Sequence, residues 1–322
     1  MGDPAGIGPE IIGKAWRALS RQGQAFVVTG DCDLLQSQGF PAEPITSLAA
    51  VETLFPQAIP VLHRAVGSQV IPGRPSEGAA DAIIGWIREA VELCLSQEAS
   101  GLVTAPIAKA NLYSAGFQYP GHTEYLGALT AETPIDGARG PVMMLAVEGL
   151  RTCLVTIHKP LADVSPSLNV EQIVHTGLVA AQALQRDFGI SHPRLAVAGL
   201  NPHAGESGSI GREEIEIIEP AIVRLRGLGV DASGPYPADS LFTTERRTTY
   251  DAALCMYHDQ ALIPVKMLDF WGGVNVSLGL PIVRTSPDHG TAFDIAGQGI
   301  ARAESMIAAI RMAQAIAECR TR

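Results

Sequence analysis

The sequence predicts an α/β protein built on a largely parallel sheet. Short apolar runs recur along the chain, and longer stretches with helical periodicity separate them, which is the alternation such a sheet requires. Composition agrees: 322 residues, 47% hydrophobic and 17% charged, supply apolar surface for one large or two ordinary cores.

In chain order, Gly2-Asp3-Pro4-Ala5-Gly6-Ile7-Gly8-Pro9-Glu10 reads as a turn feeding a helix. Pro9 is placed to open that helix, because the first turn needs no N–H from it and its φ is preset. Strands are expected over 26–29, 61–63, 101–104, 142–147, 151–157, 195–200 and 253–257. Runs 142–147 and 151–157, joined through Glu148-Gly149-Leu150, read as an antiparallel hairpin within the alternating pattern. A helix is expected over 76–95, where Ile83, Ile84, Ile87, Val91 and Leu95 share one face. Ser76 is its N-cap, and Glu77 sits near the positive end of the dipole. Helices over 169–186 and 211–226 follow the same logic, the second kinked at Pro220 and stopped by Gly227. A helix over 305–319 comes last. The chain has no internal repeat, low-complexity tract or long linker, so a second domain must come from the chain crossing over and returning.

A formal charge of −10 argues against general affinity for nucleic acid or anionic membrane, both of which need a basic surface field. A local pocket in an acidic protein can still hold a phosphorylated metabolite. No apolar stretch approaches the ~20 residues that span a bilayer, and the N-terminus lacks a basic region followed by an apolar signal core. A cytoplasmic protein is expected. Cys32, Cys94, Cys153, Cys255 and Cys319 form no CxxC pair, and this odd, scattered set reads as reduced buried thiols.

His158, His203 and His258 each stand just beyond one of the apolar runs. Strand exits are where ligands collect in open α/β sheets, and imidazole is the commonest ligand for zinc-like ions. Each alone also fits an ordinary hydrogen-bonded loop residue. Their separations of 45 and 55 residues match no local zinc-finger spacing, so only the fold can bring them together. Asn201 and Glu206 flank His203, Asp259 follows His258, and Gly121-His122-Thr123-Glu124 offers a hydroxyl, an imidazole and helix N–H groups to a phosphate. Lys266, Asn275 and Arg284 lie at or near the ends of apolar segments, within reach of a carboxylate or phosphate there, or as plain surface side chains.

The segment His289-Gly290-Thr291-Ala292-Phe293-Asp294-Ile295-Ala296-Gly297-Gln298-Gly299 is too polar and glycine-dense for a core. It reads either as a surface turn before the last helix or as a nucleotide-binding loop, with Asp294 accepting from a ribose diol. An acid in that role repels a 2′-phosphate and favours NAD over NADP.

Asn201-Pro202-His203-Ala204-Gly205-Glu206, Tyr257-His258-Asp259-Gln260, Gly121-His122-Thr123-Glu124, Gly279-Leu280-Pro281 and the run from Arg284 to Ala292 together resemble the 4-hydroxythreonine-4-phosphate dehydrogenase family. The blocks cover the chain in order. The opening glycine segment and the 289–299 loop also resemble the wider isocitrate and isopropylmalate dehydrogenase superfamily. The resemblance implies a two-domain fold with its active site in the interdomain cleft: a terminal α/β domain of 1–120 plus 277–322 carrying the nucleotide loop, and a central domain of 121–276 carrying the metal ligands and a dimer interface. It implies that His158, His203 and His258 bind one divalent ion, zinc, magnesium or cobalt, at a site shared between two subunits of a homodimer. It implies substrate contacts from His122, Thr123, Lys266, Asn275 and Arg284, and contacts to NAD or NADP from His289, Gly290, Thr291, Asp294, Ile295 and Gly297. The implied reaction oxidises the C3 alcohol of 4-phosphooxy-L-threonine to a 3-oxo acid that loses CO2, giving 3-amino-2-oxopropyl phosphate for pyridoxal phosphate synthesis. Lys266 is then the expected proton-transfer partner, or only a phosphate contact, and Asp259 a supporting or proton-relay group. Related readings are a dehydrogenase of threonate or erythronate 4-phosphate, and a non-catalytic metabolite-binding protein on the same fold. Family members usually carry a strand ahead of the glycine segment, and Met1 sits where that strand should already have ended.

Overall fold

The computed structural model of the chain describes residues 1–114, 116–119 and 121–321, apart from the side chains of Ala110, Asn111 and Ser114. Its strands are β1 (Val28–Gly30), β2 (Ala42–Ile45), β3 (Ile59–His63), β4 (Leu102–Val103), β5 (Val142–Val147), β6 (Leu150–Leu154), β7 (Arg194–Ala198), β8 (Asp231–Tyr236), β9 (Ala252–Cys255), β10 (Val274–Leu278) and β11 (Arg284–Pro287). Two compact units divide the chain, one of Met1–Glu132 with Ile282–Ala317 and the other of Thr133–Pro281 with Glu318–Arg322. The helix His122–Leu129 therefore packs within the first unit, whereas the boundary read from the sequence puts it in the central domain.

In the first unit, parallel strands run in the order β1-β3-β2, and β4 pairs in parallel with β11. The helix Gly8–Leu19 opens with Pro9, as expected, and buries Ile11, Ile12, Ala15 and Leu19. Ile11, Ile12 and Ala15 pack with Leu35, Phe55, Ile59, Val61 and Met306 in one core. Ser76 accepts from the Gly78 N–H and starts a 3-10 turn that continues as the helix Ala80–Leu95. The extra first strand that the resemblance leads one to expect has no counterpart among the described residues. β1 and β4 border a cavity of about 410 Å³ lined by Met1, Phe26, Val28, Val103, Met306 and Ile310 among others.

In the second unit six strands run in the order β10-β5-β6-β9-β7-β8. The expected hairpin is present as the antiparallel pair β5–β6, and β10 is antiparallel to β5. From β6 onward the pairing is parallel, through β9 and β7 to β8. The central strands carry Leu154, Ala196, Ala198, Ala253 and Cys255, which form a core with Ala261 and Val265 from the helix His258–Leu268. The helix Val170–Phe188 begins at Asn169, whose side chain accepts from the Gln172 N–H, and ends at Gly189 in the left-handed region.

Four strands have no counterpart in the sequence reading. β2 and β8 each contain a proline and lie at the edge of their strand order, the position where a missing ladder N–H is tolerated. β10 and β11 interleave Asn275, Ser277, Arg284, Thr285 and Ser286 with apolar residues, so no continuous apolar run marks them. The expected helix over 211–226 is also different. A π-helical turn, Glu214–Ile218, precedes the α-helix Glu219–Gly227, and Pro220 occupies that helix's first turn instead of kinking its middle. All five cysteines are free, and Cys32, Cys153 and Cys255 are buried. No helix among the described residues is long and apolar enough to cross a membrane.

The N-cap bond gives a direct check. Asn169→Ala should lower unfolding free energy by about 1 kcal/mol in urea titrations, and Asn169→Asp should restore most of it.

Candidate active site

The three histidines leave neighbouring strands at one sheet edge. β6, β9 and β7 are adjacent and parallel, with Cys153 opposite Leu254 and Val197 opposite Leu254, so their C-terminal ends point the same way. His158 follows β6, His203 follows β7 and His258 follows β9. The rings of His158 and His258 lie 5.8 Å apart, centroid to centroid. His158 and His203 are exposed and His258 is half-buried, so all three imidazoles are accessible to a ligand. Among the described residues, no three His, Cys, Asp or Glu side chains of one chain gather into a metal-binding group.

His203 sits on unusual backbone. His203, Ala204, Gly205, Glu206 and Ser207 all have positive φ, between 44° and 79°. Four of these five carry a Cβ, and the left-handed conformation costs such residues roughly 1–2 kcal/mol each. The turn persists because its entry is pinned. Glu214, 2% exposed, accepts at Oε1 from the Leu200 and Asn201 N–H groups, both at 2.7 Å, and at Oε2 from Asn201 Nδ2 at 2.9 Å. Gln260 ties this exit to that of β9: its Oε1 accepts from the Met256 N–H at 2.6 Å and its Nε2 donates to the Gly199 carbonyl at 2.7 Å.

Asp259 Oδ1 lies 2.7 Å from His258 Nδ1, which leaves Nε2 as the ring's outward donor atom. Lys266, eight residues along the helix from His258, and Asn275, which the β10–β5–β6 pairing sets level with Thr152 within β6, are not brought to this exit edge. Lys266, in the last turn of the helix that begins at His258, holds its Nζ 5.2 Å from the Phe270 ring centroid. Asn275, on β10 opposite Leu145, has a buried Oδ1 with no hydrogen-bond partner. A buried acceptor left in this state is a position that a ligand donor completes.

The first unit gathers His122, Thr123 and Arg284. His122 and Thr123 form the first turn of His122–Leu129, a helix whose N-cap, Gly121, supplies no side-chain bond. His122 Nε2 is buried without a partner. Burial first, then the positive charge of Arg284, holds this imidazole well below the usual histidine range. Arg284, 3% exposed on β11, donates from Nη2 to Thr104 Oγ1 at 2.7 Å. Burial pulls its guanidinium down to about 10, with Glu124 acting in the opposite direction, so it remains a cation at neutral pH. A buried cation beside a neutral imidazole and an uncapped helix start is suited to an anionic oxygen group.

The 289–299 loop docks against the opening glycine segment. The Ile7 N–H donates to the Thr291 carbonyl at 3.0 Å, and a Cβ on Gly6 would lie 2.9 Å from that oxygen. Glu10 accepts from the Ala301 N–H at 2.8 Å, while Lys14 Nζ donates to the Gly299 and Ala301 carbonyls. Gly297, with φ +77°, packs where a Cβ would come within 2.7 Å of Pro72. Four N–H groups of the first glycine segment are thus taken up by the protein itself, Ala5 by the Asp3 carboxylate, Gly6 by the Asp3 carbonyl, Asp3 by the Pro106 carbonyl and Ile7 by the Thr291 carbonyl. The segment serves as the platform for the second loop. On the loop's free side His289, Gly290, Asp294 and Gly297 are exposed, and Thr291 and Ile295 are partly so.

Comparison with known proteins now decides the family. The model of the pyridoxal phosphate biosynthetic protein PdxA matches residues 22–313. The chain belongs to the PdxA family. It is 63% identical to the 4-hydroxythreonine-4-phosphate dehydrogenase of Caulobacter vibrioides, over 98% of this chain and 96% of that protein. It is 52% identical to the protein of the same name from Maricaulis maris, over 99% and 97%. The crystal structure of the Klebsiella pneumoniae 4-hydroxythreonine-4-phosphate dehydrogenase matches with a TM-score of 0.86 at 39% identity, covering 98% of both chains.

In this PdxA member three residues with structural weight at the site escape sequence reasoning. Glu214 lies eleven residues beyond His203 in a run of acids that looks like a solvated helix face. Gln260 and Thr104 are neutral polar residues whose roles exist only across strands. The only available signal was Gln260's place two residues after a histidine.

The depressed His122 titration has a stability consequence. Below about pH 6.5 the unfolded chain takes up a proton that the folded site resists, so stability falls as pH drops through that region. Melting temperature should decline between pH 7 and 5, and His122→Gln should flatten that decline; an unchanged slope would contradict the buried neutral imidazole.

Proposed function

We propose that this PdxA-family chain is an NAD-dependent, metal-assisted dehydrogenase that converts 4-phosphooxy-L-threonine into a 3-oxo acid, which loses CO2 to give 3-amino-2-oxopropyl phosphate. That step belongs to pyridoxal phosphate synthesis. The observation that carries the reading is the shared exit edge of β6, β9 and β7, with one histidine at each end, in a chain 63% identical to a protein of that name.

The donor chemistry fits a metal. Three imidazoles on accessible backbone, one of them braced at Nδ1 by Asp259, make a nitrogen set better matched to zinc or cobalt than to magnesium, which prefers oxygen. Bound there, a divalent ion would supply Lewis-acid polarisation of an alcohol oxygen, and the dinucleotide would supply the hydride acceptor. His158, His203 and His258 would hold the ion and leave positions open to substrate oxygens. Arg284, His122 and Thr123 bind the substrate's anionic oxygens, where the desolvated guanidinium gains most from a negative partner. Asn275 Oδ1 takes a substrate donor. Lys266 moves the alcohol proton, and the Asp259–His258 pair fixes the ring's orientation.

The exposed side of 289–299 holds the adenosine half of NAD through His289, Gly290, Thr291, Asp294, Ile295 and Gly297, with Asp294 on the ribose diol. Asp294 also disfavours the NADP 2′-phosphate. Subunit pairing has its own support. Ile263, Met267, Phe270 and Trp271, on and just after the helix that starts with His258, are exposed apolar residues in one stretch, a feature of interaction surfaces. A homodimer using this surface would bring the partner subunit close to His258. Buried free cysteines suit a reducing cytoplasm.

His203→Ala should lose both bound metal and NAD reduction with 4-phosphooxy-L-threonine; a metal-free, fully active variant would rule the mechanism out. Asp294→Ser should raise the NADP-to-NAD ratio of kcat/KM by roughly tenfold or more, and an unchanged ratio would remove its cofactor role. Wild-type enzyme should prefer the phosphothreonine over threonate or erythronate 4-phosphate when the three are compared as substrates.

A further inference from the structure

We propose that Glu214 is the positioning residue for the His203 imidazole, holding the left-handed turn that aims this ring. The proposal rests on the metal reading of the three histidines above.

Glu214 stands at the start of the π-helical turn Glu214–Ile218, with its carboxylate directed at the backbone between β7 and His203. One oxygen receives the N–H groups of Leu200 and Asn201, and the other receives Asn201 Nδ2. The same Nδ2 donates to Glu213 Oε2 at 2.7 Å, and Glu213 Oε1 accepts from Ser165 Oγ at 2.5 Å. Asn201 is thereby held between two carboxylates two residues before His203.

The turn itself closes over Glu214. A Cβ on Gly205 would lie 2.6 Å from Glu214 Oε2, and one on Gly199 would lie 3.2 Å from Oε1 and 3.0 Å from Ala204 Cα. Gly205 has φ +79°, which favours glycine, and the carboxylate beneath it leaves no room for the Cβ that its four neighbours in the turn carry. The turn's remaining bonds are local: Ala204 N to Asn201 O, Ser209 N to Glu206 O and Ile210 N to Gly205 O. Local bonds preserve the turn's curvature but not its direction. Glu214 connects the backbone N–H groups of its entry to the following helical segment, and Glu213 beside it holds only the Asn201 side chain. Backbone strain held this way, at an exposed ring, is characteristic of a pre-set ligand.

The test is cobalt(II) titration of the whole protein, read by the visible absorption of cobalt on nitrogen ligands, beside thermal melting. Wild type should bind cobalt, and His203→Ala should bind it much more weakly. Glu214→Ala should weaken cobalt affinity by roughly 10–100-fold, the usual effect of removing a partner behind a ligand. Glu214→Gln keeps an oxygen for the two N–H groups and should restore most of that loss. Gly205→Ala keeps the carboxylate but displaces the turn, and should weaken cobalt by at least about tenfold; it carries the test if Glu214→Ala does not fold. In a His203→Ala background Glu214→Ala should cost no further cobalt affinity. Wild-type affinity and spectrum in Glu214→Ala or in Gly205→Ala would overturn the positioning role while leaving the metal reading intact. So would Glu214→Gln regaining the melting temperature without regaining cobalt. Equal cobalt binding by wild type and His203→Ala would overturn both.

Discussion

Parallel strands cannot be joined by hairpins, so each must leave its sheet at the same edge and return by a crossover. In the second unit this applies to β6, β9 and β7, which are neighbours in space although 40 to 100 residues apart in the chain. Their interior residues, among them Leu154, Ala196 and Ala253, are buried and fix register by packing. β7 and β9 are buried on both faces, so moving either strand by one residue would exchange the side chains packed on its two faces and redirect the histidine beyond it. The position of each imidazole is therefore a consequence of core packing. The last few residues before each ring need separate control, which Gln260 and Glu214 provide by tying strand exits together and to the following helix.

The first unit solves a different electrostatic problem. It buries a guanidinium, Arg284, beside a neutral imidazole, His122, and takes the desolvation cost into the folded state. Thr104 and Glu124 offset part of it. A site in this condition favours an anion, because the ligand brings the charge that the fold withholds. The nucleotide loop is prepared by other means. Its backbone is clamped to the opening glycine segment by Glu10, Lys14 and Ile7, and Asp294 is left free on the other side.

Much of this was legible from residues alone. The β5–β6 hairpin, the helix beginning at about residue 169, the Ser76 start and the histidines beyond apolar runs are local patterns, and local patterns survive folding. Strands β8, β10 and β11 were not legible, since a proline-bearing edge strand and strands with polar residues lack an apolar run. The π-helical turn displaced a helix that periodicity alone ran over 211–226 with a kink at Pro220. Glu214 was hidden for a similar reason. Its neighbours Glu213 and Glu216 suggest a solvated face, and only the return of the chain over it makes it buried.

The proposed chemistry requires that His158, His203 and His258 serve one ion. Crystals of the protein grown with cobalt and measured on both sides of the cobalt absorption edge test this directly. A single anomalous peak is expected per site, within about 2.0–2.1 Å of a nitrogen from each of the three histidines, a usual imidazole bond length to such ions, with further positions open. A peak bonded elsewhere, or one that leaves any of the three rings uncoordinated, would contradict it.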